Sequence, residues 1–175
     1  MTAPGPIYQM AYVVPDIRAA VDHWARTTGA GPFFLFENFQ FVDPVYLGRP
    51  GAPAASLALG YSGDLNIELI EQHDAAPSVY RELIDSGAYG FHHVARLTRD
   101  IDGSIAAAEA EGAPCVFRAT FEPATRLAYC DTRARLGCYM EFVEYTEAAE
   151  TILTQLRQAA RDWDGHDPLR LFGID

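Results

Sequence analysis

A chain of 175 residues, 49% of them hydrophobic and with a formal net charge of −11, is long enough to bury an ordinary core and too apolar to stay disordered. Its acidity, with a pI near 4.7, argues against nucleic acid or an anionic membrane as partner, because both require basic side chains for phosphate contact. No apolar run approaches the roughly 20 residues of a membrane span, and the opening MTAPGPIYQ lacks the charged and apolar regions of a secretory signal, so a cytoplasmic protein acting on a small molecule is expected.

Residues 7–14 read as a strand, with alternation placing Gln9, Ala11 and Val13 on one face and Tyr8, Met10 and Tyr12 on the other. Asp16 stands where an N-cap belongs, Ile17, Val21, Trp24 and Ala25 recur at helical spacing, and Gly29 is the expected stop. Strands are predicted around residues 33–41, 54–61 and 65–71, giving the order βαβββ. Residues 73–88 form a connection whose helix starts at Pro77 and Ser78 and carries a Val79, Leu83 and Ile84 stripe before Gly87.

The pattern then returns. A strand is predicted over residues 91–98, Asp100 caps a helix over 101–111, and strands follow near 114–121, 127–130 and 138–145. A C-terminal helix over 148–163, with Ile152, Leu153, Leu156 and Ala160 on one face, is expected to cover a sheet edge, and DGHDPLRLFGID forms a tail.

Residues 9–33 (QMAYVVPDIRAAVDHWARTTGAGPF) align with residues 93–117 (HVARLTRDIDGSIAAAEAEGAPCVF) through a single gap. Repetition of this kind implies paired functional positions. The expected fold class is therefore α+β, built from two tandem βαβββ modules at residues 1–72 and 91–146, joined by 73–90 and followed by a helix and tail at 147–175. Cys115, Cys130 and Cys138 are odd in number, match no zinc-ribbon or CxxC spacing, and read as reduced, packed thiols.

Glu68 in NIELIE and Glu141 in YMEFVE occupy the closing strands in like contexts, while Gln9 and His93 open the repeated strands. A carboxylate facing a closed core is costly unless paired, protonated or bound to a cation. If a pseudo-twofold relates the halves, Gln9 and Glu68 face His93 and Glu141 across a shared cavity. One amide oxygen, two carboxylates and one imidazole suit a single divalent ion such as zinc, nickel, cobalt, manganese or iron(II). His92 should point to the opposite face from His93.

The openings QMAYVVPDI and HHVARLTRDI, with the closing strands IELIE and MEFVEY, resemble the vicinal oxygen chelate superfamily, which includes glyoxalase I, methylmalonyl-CoA epimerase, bleomycin-resistance proteins and extradiol dioxygenases. The resemblance implies a U-shaped, partly closed mixed sheet around a metal, with Gln9, Glu68, His93 and Glu141 in the four ligand slots in that order. It also implies a homodimer, with the site within one chain or between two. The Gln, Glu, His, Glu order resembles one zinc-type branch of glyoxalase I, and it departs from the epimerases at both slots of the first half.

A dication beside a carbonyl stabilises the enediolate formed when the neighbouring carbon loses a proton. The expected function is thus a metal-dependent isomerase, epimerase or lyase of the glyoxalase or epimerase type, with Glu141 as base and ligand and Glu68 as its partner. Val13 stands where glutathione recognition would need a basic residue, and the phenylalanines of residues 33–41 favour a hydrophobic or aromatic substrate. The alternative is a non-catalytic, bleomycin-resistance-like binding protein. A ring-cleaving dioxygenase ranks third because its iron requires two histidines and only one slot holds one.

Overall fold

Apolar alternation and capping side chains place the elements in the computed structural model, which describes residues 5–121 and 124–173. The chain runs β1 (Ile7–Val13), α1 (Ile17–Thr28), β2 (Phe33–Phe39), β3 (Val42–Tyr46), β4 (Arg49–Pro50), β5 (Ala55–Ser62), β6 (Leu65–Gln72) and α2 (Val79–Asp85). It continues as β7 (Gly90–Thr98), α3 (Ile101–Ala110), β8 (Cys115–Phe121), β9 (Thr125–Cys130), α4 (Arg133–Leu136), β10 (Tyr139–Glu144), α5 (Glu147–Arg161) and β11 (Leu169–Leu171).

Asp16 and Asp100 accept hydrogen bonds from the backbone N–H groups of Ala19 and Gly103, each at 2.9 Å, so the repeated aspartate starts both module helices. Gly29, at φ 71°, ends α1 in the left-handed conformation that a residue with a Cβ adopts only under strain. The helices then bury matching stripes on the outer face of the sheet: Ile17 and Val21 of α1 beside Leu69, and Ile101 and Ile105 of α3 beside Phe142. Each such side chain contributes about 1.5–3 kcal/mol on full burial.

All the described strands join one mixed sheet in the order β11-β2-β5-β6-β1-β7-β10-β9-β8-β3-β4. β1 and β7 pair antiparallel at its centre, and each is flanked by the closing strand of its own module, β6 or β10, in parallel. The Phe39 and Phe121 rings stack 5.0 Å apart although β2 and β8 lie near opposite ends of the strand order. Only a strongly curled sheet brings them together, and its concave face holds Ala11, Val13, Leu57, Leu127 and Tyr129.

Four short elements depart from the sequence expectation. β3 contains Pro44 and a positive φ at Asp43 (47°), both signals of a turn, yet it pairs antiparallel with β8 of the second module and so carries the chain from one end of the sheet to the other. β4 extends that ribbon, α4 is a single turn, and β11 converts the expected tail into an edge strand parallel to β2. Two to five residues of strand or helix leave too little periodicity to read.

Cys130 and Cys138 are buried thiols, as expected, whereas Cys115 is half-exposed. Cys115 stands opposite Cys130 across β8 and β9, and Arg118 Nε donates to its sulfur at 3.2 Å. The neighbouring Cys130 thiol, and then the Arg118 guanidinium, hold the Cys115 pKa below the usual thiol range. Iodoacetamide at neutral pH should therefore alkylate Cys115 and spare the other two, and Arg118→Gln should slow the reaction. Mass spectrometry showing equal labelling of all three cysteines would contradict this environment.

Candidate metal centre

Four adjacent central strands carry the candidate residues, and the pairing repeats between halves. Ala11 on β1 pairs with Glu68 on β6, and Ala95 on β7 pairs with Glu141 on β10, so each carboxylate lies beside the residue two positions after Gln9 or His93. Across the central pair, Gln9 faces Ala95 and Ala11 faces His93. Both alanines are fully buried, and their small side chains leave the space between the four polar groups open.

The structure brings Glu68, His93 and Glu141 together, with one ligand-type atom from each lying within 4.8 Å of the others. His93 Nε2 stands 3.3 Å from Glu68 Oε2 and 3.3 Å from Glu141 Oε2. Donors bonded to one ion at about 2.0–2.2 Å in tetrahedral or octahedral arrangement are separated along an edge by about 3.0–3.5 Å, so these spacings fit a shared cation. Gln9 lines the same cavity as both carboxylates.

Two hydrogen-bond chains determine which atom of Gln9 and of His93 faces the cavity. Asn66 Nδ2 donates to the Gly60 carbonyl at 3.0 Å, so its Oδ1 accepts from Gln9 Nε2 at 2.9 Å and Gln9 Oε1 is left over. On the other side, His92 Nε2 lies 3.0 Å from the Val79 carbonyl, which can only accept, so that nitrogen carries the proton. His92 Nδ1 then accepts from His93 Nδ1 at 2.9 Å, leaving His93 Nε2 to face the carboxylates. This is the outer support by which an imidazole ligand is oriented at a metal. Burial, reinforced by the charge of His93, pushes the His92 pKa down to about 3 and keeps that ring a neutral acceptor.

Among the described residues, Gln9 Oε1, Glu68 Oε2 and His93 Nε2 are buried atoms with no hydrogen-bond partner. The contacts of His93 Nε2 with the carboxylates are ionic approaches, not aligned hydrogen bonds. Glu68, His93 and Glu141 are thus held together by charge without aligned hydrogen bonds, and Gln9 Oε1 lies buried without a partner in the wall that it shares with both carboxylates, an arrangement that fits a divalent ion. The donor set is compatible with zinc, nickel, cobalt, manganese or iron(II). Without the ion, the two carboxylates raise the His93 pKa to about 9 against the opposing effect of burial, and burial raises that of Glu68.

Two local expectations are corrected. Alternation assigned Tyr8 to the face opposite Gln9 and His92 to the face opposite His93, but β1 has one extra residue between Ile7 and Gln9 and β7 one between Phe91 and His93. These β-bulges occupy equivalent places in the repeats and cancel the alternation there, so Tyr8 lines the cavity beside Gln9 and His92 packs beside His93. Burial first, then the charges of Glu141 and Glu68, raise the Tyr8 pKa well above its ordinary value and keep the phenol protonated. The residues missed by sequence reasoning are Tyr8, Asn66 and His92; for Asn66 a signal existed, an amide within the apolar run NIELIE.

A family model for the Glyoxalase/Bleomycin resistance protein/Dioxygenase superfamily matches residues 8–130. No curated protein matches the sequence. Among solved structures, methylmalonyl-CoA epimerase from Mycobacterium tuberculosis is 17% identical with a TM-score of 0.61, the alignment covering 86% of this chain and 97% of that one. A variant of Streptomyces coelicolor methylmalonyl-CoA epimerase in complex with 2-nitronate-propionyl-CoA is 18% identical with a TM-score of 0.58, covering 83% and 97%. A hypothetical protein from Bacillus halodurans is 17% identical with a TM-score of 0.59, covering 81% and 95%. At these identities the likeness shows the fold.

Proposed function

The chain belongs to the glyoxalase, bleomycin resistance and dioxygenase superfamily, and from that premise we propose that it is a divalent-metal-dependent isomerase, epimerase or lyase that moves a proton on a small hydrophobic substrate. The observation that carries the proposal is the buried cluster of Glu68, His93 and Glu141, whose ligand-type atoms meet without aligned hydrogen bonds, with the unsatisfied Gln9 Oε1 in the same wall as the carboxylates. Gln9, Glu68, His93 and Glu141 are the proposed ligands. An ion held there would supply Lewis-acid polarisation of a substrate carbonyl.

The remaining steps belong to the side chains. Glu141 takes the proton from the carbon next to the carbonyl, and Glu68, on the other side of His93, receives that proton from Glu141 and returns it to the adjacent position. The two carboxylates approach His93 from opposite halves of the molecule, which supports their action at two ends of a short substrate. Tyr8, held protonated, donates a hydrogen bond to the oxygen on which charge develops. Phe36, Leu57 and Leu127 exclude water around that charge.

The alternatives fit less well. A binding protein without metal has no use for the oriented amide and imidazole, and a ring-cleaving dioxygenase lacks its second histidine ligand.

Elemental analysis of protein purified without an affinity tag should find about one divalent ion per chain, and Glu141→Ala should lose it. No bound metal and no uptake on titration would overturn the metalloenzyme reading. Glu141→Gln is expected to keep the ion and lose proton exchange by about 10²–10⁴-fold, the range for a general base. Full turnover with metal still bound would remove Glu141 from the role of base.

A further inference from the structure

The cavity in front of the candidate centre has a volume of about 100 Å³, and its polar lining consists of Tyr8, Gln9, Glu68, Thr125 and Glu141. The remaining wall is apolar, and part of it comes from Ala149, Ile152 and Leu153 of α5, beyond residues 8–130 matched by the family model. The sequence contains no lysine, so its 13 cationic side chains other than histidine are arginines, and none of them lines the cavity. An anionic ligand entering here would meet two carboxylates and no compensating cation except the ion itself.

α5 is fastened as a wall. Leu156 is 2% exposed, Arg157 lies over the Tyr61 ring at 5.3 Å, and the Thr146 hydroxyl that caps the helix lies 2.8 Å from the Thr125 hydroxyl. Beyond the helix, β11 pairs with β2 and the Phe172 ring stacks on Phe36 at 4.2 Å. The C-terminal segment thus packs along the β2–β5 side of the curled sheet with apolar residues toward the site.

Two carboxylates and a divalent ion sum to zero charge, so a neutral chelating ligand keeps the buried site neutral. A carboxylate would leave net negative charge inside an apolar wall. Resting on the metal-dependent reading above, we infer that the substrate is a small molecule that is uncharged at the end entering the cavity and carries an apolar substituent, and that α5 selects against ligands with an anionic group at that end.

The test uses protein loaded with Co²⁺, whose visible absorption reports ligands entering its coordination sphere. 2-Hydroxyacetophenone and mandelate share a phenyl group and vicinal oxygens but differ in charge. The ketone should bind at least about tenfold tighter than mandelate. Hard divalent ions in water favour the carboxylate, so the sign of the preference reports the pocket. Equal or tighter binding of mandelate overturns the inference. Leu153→Arg, or Ile152→Arg should the first variant fail to fold, adds a cation to the wall and should raise mandelate affinity about tenfold with Co²⁺ uptake unchanged. No gain from a folded variant removes α5 as the selecting wall.

Failure of the metal reading has a separate signature, the absence of any cobalt absorption. In that case the same pair is compared by thermal stabilisation of the metal-free protein. Stabilisation by the ketone alone keeps the assignment of a neutral ligand, and any other result overturns it.

Discussion

Replacing His93 with leucine is expected to lower the folding stability of the metal-free protein by about 3–5 kcal/mol, the usual consequence of removing one partner from a buried ion pair. The Glu68 and Glu141 side chains are only 10% and 7% exposed, and both approach His93 Nε2. Leucine fills much of the imidazole's volume, so the loss arises from charge: two buried carboxylates are left facing a cavity with no cation between them. One of them then has to take up a proton, and stability should become strongly dependent on pH. Adding Glu141→Gln to the His93→Leu chain removes one of the two charges and should recover part of the loss. Urea denaturation at pH 7 provides the measurement. A loss below about 1 kcal/mol, the scale of a surface pair, would mean that the three groups do not hold charge as a unit.

The second large effect is on metal uptake as a function of pH. In the metal-free protein His93 is held protonated up to about 9, well above the ordinary histidine value of 6.5, by the two carboxylates. Its contribution to folding stability is therefore fully present below 6.5 and fades as the pH rises through 9. An ion occupying the same place displaces the Nε2 proton. Apparent metal affinity should then climb about tenfold per pH unit below 9 and level off above it, which puts pH 7 about a hundredfold below the plateau. Calorimetric titrations in buffers of different ionisation enthalpy should show about one proton released per ion at pH 7. The metal-free protein should lose thermal stability progressively between pH 6.5 and 9, and the loaded protein should not. Uptake that does not vary between pH 6.5 and 9 would contradict this exchange of proton for metal.

Much of this was legible in the sequence because the fold is a duplication. A polar residue, an apolar run, an aspartate, an isoleucine and a terminal glycine recur in both halves, and each feature has a local physical role that needs no tertiary information. Asp16 and Asp100 cap helices wherever such a pattern occurs, and the isolated carboxylates of NIELIE and YMEFVE require a partner in any half-buried strand. The features that escaped notice depend on strand pairing. Tyr8 and His92 lie on the cavity side only because each strand holds one more residue than its neighbour opposite, and register is a property of two strands together. Likewise, the segment around Asp43 and Pro44 drew no strand assignment, because proline interrupts strand periodicity, and only the waiting edge of β8 makes a strand of it. The wall formed by α5 was foreseen as a helix with an apolar face, but its position over the site depends on where the curled sheet places its open side.

The crossing of β3 onto β8 has a bearing on how the molecule comes apart. The two modules share backbone hydrogen bonds at two separated places, the central β1–β7 pair and the distant β3–β8 pair. Opening either junction alone leaves the halves tethered by the other, and a freed β3 would expose unpaired backbone along β8. Despite its internal repetition, the sheet is thus built to melt in a single cooperative step, with the candidate centre lying at the central seam.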